Sequence, residues 1–248
     1  MKRIVVVLCF VLAAAAPKTS APASVPVETV HFRTADGCVL EGSYRAPSPG
    51  SYVFLNVHGL GSDKSEWAAL ESGLKRRGYG FLSLDLRGHG GSLRCSGRPV
   101  SYISFSQARW AGVSEDIRSA ADLLKSRKVP ENRLVLCGAS VGANLALKAL
   151  AEGLRPAGLV LLSPGLSYAG IEAETFLPVS GAAPLLLAAS EDDTYAWQSS
   201  GRLLARAGAR GIPAVFRAGP GGHGANMLSA AKPELLNYIL DWAGKLRK

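Results

Sequence analysis

With 248 residues, 48% of them hydrophobic and 19% charged, the chain is long and apolar enough to bury one sizeable core, which excludes a disordered or fibrous protein. The 28 Lys and Arg exceed the 19 Asp and Glu by a formal +9, yet the basic residues are scattered. The nearest cluster, Lys75-Arg76-Arg77, closes a predicted helix where cations offset the dipole, and no aromatic-interleaved basic stripe is present, so nucleic acid is not an expected partner.

At the start of the chain, Lys2 and Arg3 precede an apolar run over residues 4–16 and a Pro/Ala/Ser stretch through Pro26, the layout of a secretory signal peptide over residues 1–23. The run is shorter than the roughly 20 residues a spanning helix needs, and Cys9 has too little chain before it to serve as a lipoprotein attachment site. Cleavage after Ala15 and cleavage before Ser24 both fit. The expectation is export, with no stable membrane insertion afterwards. Cys38, Cys95 and Cys137 then remain, an odd count that leaves at least one thiol unpaired. Burial is the simple reading of Cys137, whereas Cys38 and Cys95 fit either a disulfide or two free thiols. No metal-ligand spacing occurs, and no metal or organic cofactor is implied.

Residues 27–34 and 38–45 read as two strands joined through Asp36-Gly37, a dipeptide suited to a tight hairpin, and they predict an antiparallel edge. From residue 52 the pattern changes to short continuous apolar runs, at 52–57, 80–84, 134–137, 158–162, 184–188 and 214–217, as expected of strands covered on both faces. Helical spacing fills the intervals at 67–77, 110–127, 141–150, 197–207 and 233–246; within 110–127, Val113, Ile117, Ala120, Ala121 and Leu124 line one face. Strands alternating with helices predict right-handed crossovers and a mostly parallel sheet of about eight strands in one α/β domain over residues 24–248. In such sheets ligands bind beyond the carboxyl ends of the strands, so residues just after each strand are the functional candidates.

One of those junctions carries Gly138-Ala139-Ser140-Val141-Gly142, set between a strand and a helix, the context of a nucleophile elbow. A helix N-cap would also use a serine there, but would not need glycine at both 138 and 142. A serine hydroxyl needs a base, and the chain has four histidines. His31 lies in the first strand, while His58 and His89 belong to the turns His58-Gly59-Leu60-Gly61 and Arg87-Gly88-His89-Gly90, where structural roles are usual. His223, alone in the glycine-dense loop after the last strand, is the candidate base. The carboxylate that orients it should follow the preceding strand, where Ser190-Glu191-Asp192-Asp193-Thr194 offers three acids. Asp193 is the choice and Asp192 the reserve, with a helix cap as the other use of one of them. Two backbone donors complete an oxyanion hole, the N–H groups of Val141 and of Leu60.

Taken together, the His58 to Trp67 segment, Asp85-Leu86-Arg87-Gly88-His89-Gly90-Gly91-Ser92, the elbow, the acid turn and the His223 loop resemble the α/β-hydrolase superfamily over nearly all of residues 27–248. The chain is most similar to small capless bacterial esterases and to the dienelactone-hydrolase-like group. It departs from the latter in having Ser140 where they place cysteine, and from the family in starting the acid turn at Ser190 rather than at glycine. The resemblance implies an esterase with a Ser140, His223 and Asp193 triad, acting on a small-molecule ester through an acyl-enzyme, and implies a structural role for the Arg87 to Ser92 turn. Only about twenty residues separate the strands at 158–162 and 184–188, short of a helical cap, so an open cleft is expected. A thioesterase or acyltransferase would use the same residues. A peptidase of this superfamily usually carries an extra domain, and a non-catalytic binding protein on the same fold is the rival from another class.

Overall fold

The computed structural model describes residues 25–178, 183–229 and 231–246; the expected leader lies outside them. The apolar runs form strands β1 (Glu28–Arg33), β2 (Cys38–Arg45), β3 (Val53–Val57), β4 (Gly80–Leu84), β5 (Leu134–Ala139), β6 (Gly158–Leu162), β7 (Leu185–Ala189) and β8 (Ala214–Ala218). They pair in the order β1-β2-β4-β3-β5-β6-β7-β8, with β3 to β8 parallel and β2 antiparallel to both β1 and β4. The expected mostly parallel sheet with an antiparallel N-terminal edge is therefore what forms. Two-residue strands, Arg94–Cys95 and Arg98–Pro99, lengthen that edge beside β2.

Continuous apolarity along the strands has its cause in cover on both faces. Leu55, Leu82, Leu136 and Leu161 face one core with Ile117, Leu145 and Leu203, whereas Phe54, Phe81, Val135 and Val160 face another with Leu70 and Leu240. Helices α2 (Ser114–Ser126), α3 (Val141–Ala151) and α4 (Thr194–Ala209) cover the first face; α1 (Ala68–Arg76) and α5 (Glu234–Gly244) cover the second. Each of these fully buried Leu or Phe side chains contributes roughly 2 kcal/mol by leaving water. The sequence pattern over 110–127 suggests one helix. The chain instead makes a short helix, Gln107–Ala111, capped by the Ser106 hydroxyl, and breaks at Gly112 before α2 begins.

The sheet order reverses between β3 and β5, because the chain leaves β3 for β4 on one side and returns past it to β5 on the other. The loops after β3 and β5 consequently diverge, and a crevice opens between them at the carboxyl edge. At the opposite flank, Cys38 and Cys95 are register partners joined by a disulfide, while Cys137 is a buried free thiol whose pKa burial pushes up. Among the described residues no helix is long and apolar enough to cross a membrane.

Candidate active site

Ser140 is the junction of β5 and α3, with φ 54° and ψ −123°. That conformation costs a non-glycine residue on the order of 1–3 kcal/mol and persists only where the surroundings over-determine it. Here they do: the Ser140 N–H donates to Leu162 O at 2.8 Å, and its carbonyl accepts from the Ala143 N–H at 2.9 Å. The flanking glycines are there because backbone passes through the space a side chain would fill. A Cβ on Gly138 would lie 2.3 Å from Gly142 O, and one on Gly142 would lie 2.2 Å from Val57 O. The serine side chain makes no capping hydrogen bond to α3, so its hydroxyl is available to the cleft.

The other candidates arrive from neighbouring strand ends. Asp193 follows β7, and its Oδ2 lies 2.6 Å from His223 Nδ1; its Oδ1 accepts from the Ala196 N–H at 3.4 Å and caps α4. One residue therefore holds both uses that the acid turn offered. Asp192 does not touch the imidazole. It accepts from the Gly222 N–H at 3.0 Å and so fastens the loop that carries His223. Two further anchors escape a reading of the sequence: Ser190 Oγ accepts from the Gly221 N–H at 3.1 Å, and Ser163 Oγ from the Gly224 N–H at 2.8 Å. Ser190 is the departure from the usual glycine, and its hydroxyl has become a fastening for the histidine loop.

Around the β3 loop the backbone donors are committed one by one. The Gly59 N–H donates to Glu66 Oε1 at 3.1 Å, the Gly61 N–H to His89 Nε2 at 3.4 Å, and the Ser62 N–H to Gly59 O at 3.2 Å. The Leu60 N–H has no acceptor among the described residues. Val141, as the first residue of α3, presents an N–H without an intrahelical acceptor. These are the two expected oxyanion donors.

A cavity of about 230 Å³ lies between these parts, bordered by Leu60, Ser62, Glu66, Ser140, His223 and Asn226. Burial pushes the Glu66 carboxyl above its ordinary range, against the opposing effect of hydrogen bonds from Ser62 and Gly59. His223 and Ser140 share this cavity without a direct hydrogen bond between them among the described residues. Catalytic hydrogen bonds of this kind commonly tighten only around substrate. Tyr168 stands on a hairpin between β6 and β7, with its ring edge-on to His223 at 6.2 Å.

His58 and His89 stay out of this constellation. Both are buried, His58 in the turn after β3 and His89 in the turn after β4, and their ring nitrogens bond only to backbone. His31 is exposed on β1, beside Glu41 at 3.0 Å. Among the described residues no group of three or more His, Cys, Asp or Glu could hold a metal ion.

Against known proteins, the family model described as serine aminopeptidase, S33 (Hydrolase_4) matches residues 49–184. No curated protein matches the chain. Among solved structures, the esterase Pf2001 of Pyrococcus furiosus superposes with a TM-score of 0.72 at 17% identity, over 91% of this chain and 94% of its own. A dienelactone hydrolase from Anabaena variabilis gives 0.65 at 19% identity, over 90% and 97% of the two chains. A hormone-sensitive lipase from a metagenome library gives 0.61 at 22% identity, over 89% and 86%. At these identities the likeness is one of fold.

Proposed function

The chain belongs to the serine aminopeptidase, S33 (Hydrolase_4) family of α/β hydrolases, and from that membership we propose that it is a serine hydrolase cleaving small carboxylic esters through Ser140, His223 and Asp193. The observation that carries the reading is the strained Ser140 at a cavity shared with His223, whose Nδ1 is held 2.6 Å from Asp193. With Nδ1–H committed to Asp193, Nε2 is the free acceptor for the serine proton. Ser140 Oγ attacks the ester carbonyl as His223 takes that proton, and the Leu60 and Val141 N–H groups receive the oxyanion. His223 then protonates the departing alcohol and activates water to release the acid.

The test is covalent labelling followed by a substrate panel. A fluorophosphonate should label the protein and fail to label Ser140→Ala; labelling that survives the substitution overturns the assignment. Short p-nitrophenyl esters should turn over faster than acyl-thioesters and aminoacyl p-nitroanilides. The family's description favours the peptidase reading as the second one, and faster p-nitroanilide cleavage would replace ester with amide.

Export is part of the same proposal. Lys2, Arg3 and the apolar run support a leader over residues 1–23, and the Cys38–Cys95 disulfide suits an oxidising compartment. The intact mass of the protein recovered outside the cytosol checks it, with a mature chain beginning at Ala16 or Ser24; a chain retaining Met1 sinks it.

A further inference from the structure

Glu66 lies where the loop after β3 runs through a short 3-10 turn, Lys64–Trp67, into α1. It is the one carboxylate among the described residues that border the Ser140 cavity. Its Oε1 accepts the Gly59 N–H at 3.1 Å, which fixes the side chain against the backbone of the loop. Beside that bond Gly59 leaves a gap. A Cβ on Gly59 would lie 3.3 Å from Ser140 Cβ and 3.9 Å from Glu66 Oε2, so the nucleophile and the second carboxylate oxygen flank one small space.

An ionised carboxylate has about four acceptor positions, and once it is partly buried it needs donors or a cation to offset the loss of water. Lys64, two residues earlier, pairs with Asp85 and Glu41 instead. Glu66 has no Lys or Arg partner among the described residues. Burial is the largest influence on its carboxyl and pushes the pKa up, in keeping with a charge that the protein leaves without a cation. The side on which a further donor can approach it is the cavity.

We propose that Glu66 is a specificity-determining residue, whose Oε2 accepts a hydrogen bond from a hydroxyl or ammonium group on the carbon next to the ester carbonyl. The proposal rests on Ser140 being the nucleophile. The carbonyl oxygen then points to the Leu60 and Val141 N–H groups, and the alcohol lies toward His223, which protonates it. The acyl group takes the space beside Gly59, and its α-substituent is the part within reach of Glu66. A charged acceptor held in place discriminates strongly. A hydroxyl or ammonium pairs with it, a methyl of the same size leaves it unpaired, and a carboxylate is repelled. Esters of α-hydroxy acids and of α-amino acids are the two sources of that donor.

Ethyl propionate, ethyl glycolate and glycine ethyl ester test it, because they carry methyl, hydroxyl and ammonium at one position on the same alcohol. Their kcat/KM values at about pH 7, where the α-ammonium is mostly charged, are each divided by the uncatalysed hydrolysis rate at that pH. We expect the glycolate or the glycine ester to exceed propionate by about tenfold or more. Glu66→Gln keeps an oxygen for the Gly59 N–H and turns an N–H toward the cavity, so that ratio should fall by about tenfold. Glu66→Asp, which withdraws the carboxylate by one methylene, repeats the comparison where Glu66→Gln does not fold. A gain for glycolate alone identifies hydroxy acids as the source, a gain for glycine alone amino acids, and a gain for both a donor of either kind. Equal corrected values in the parent overturn the proposal, as does a ratio that survives the substitution or a fluorophosphonate-labelled parent that cleaves none of the three. If the parent is not labelled at all, it is the nucleophile assignment that fails.

Discussion

The carboxyl end of the sheet holds two groups of histidines, and their hydrogen bonds set them apart. In the turns after β3 and β4, His58 donates from Nδ1 to Gly59 O at 2.7 Å and accepts the Leu86 N–H at Nε2 at 3.0 Å. His89 likewise bonds Arg87 O and the Gly61 N–H, and stacks on Tyr102 at 4.0 Å. Both nitrogens of each ring are committed to backbone, and burial lowers the pKa of both, that of His58 to about 4. His223, by contrast, is 45% exposed in its side chain and, among the described residues, hydrogen-bonds only through Nδ1. A histidine with both nitrogens engaged is a staple between loops; one with a free nitrogen facing a cleft can carry a proton.

The contrast breaks first, if it breaks, at His223. His223→Ala should lower kcat/KM on a p-nitrophenyl ester by about four orders of magnitude while leaving the urea midpoint where it was. A loss below tenfold would put His223 in the structural class. Asp193→Asn should follow with a loss on the order of a thousandfold, and Asp192→Asn, which touches only the Gly222 N–H, with less than tenfold; the reverse ranking would make Asp192 the triad acid.

His58→Ala tests the other side. It leaves the Leu86 N–H and the Gly59 carbonyl without their buried partner and opens a cavity, so urea unfolding should show a loss of about 3 kcal/mol. An unchanged midpoint would remove the distinction. The smallest effect is a pH dependence. His58 titrates near 4 when folded and near 6.5 as an ordinary histidine, so between those values the unfolded chain binds more protons. The stability it contributes is complete above pH 6.5 and declines as pH falls toward 4, by about 2 kcal/mol at pH 5. Unfolding series at pH 7 and pH 5, in the parent and in a folded His58→Gln variant, should show the steeper decline in the parent.

The larger elements were legible because β3 to β7 are covered on both faces and leave unbroken apolar runs bounded by glycine, proline and polar residues. The elbow was legible because Gly138 and Gly142 are demanded by backbone contacts that no other residue tolerates. What escaped depends on partners far along the chain. Ser163 and Ser190 look like ordinary turn serines, and they become anchors only because Gly224 and Gly221, 61 and 31 residues later, aim their N–H groups at them. The Tyr168 hairpin has two residues per strand, too few for any periodicity, and its place beside His223 is set by Asn144 and Tyr195. The break in the helix after Trp110 was signalled by Gly112, but the apolar spacing on either side of it is continuous enough to hide the interruption.

Asp193 is bound at both oxygens, one to the imidazole and one to the start of α4, and that narrows what the position can hold. Asparagine or serine could cap the helix but would bring no charge to the ring. Glutamate would bring the charge on a longer arm that misses the cap, and alanine would lose both. Of the twenty side chains only aspartate meets the two demands together, so drift at this position is confined by the helix as well as by the chemistry we propose for it. A lineage that gave up the reaction would still have a reason to keep a short polar residue at position 193, and what would betray the loss is the disappearance of its charge.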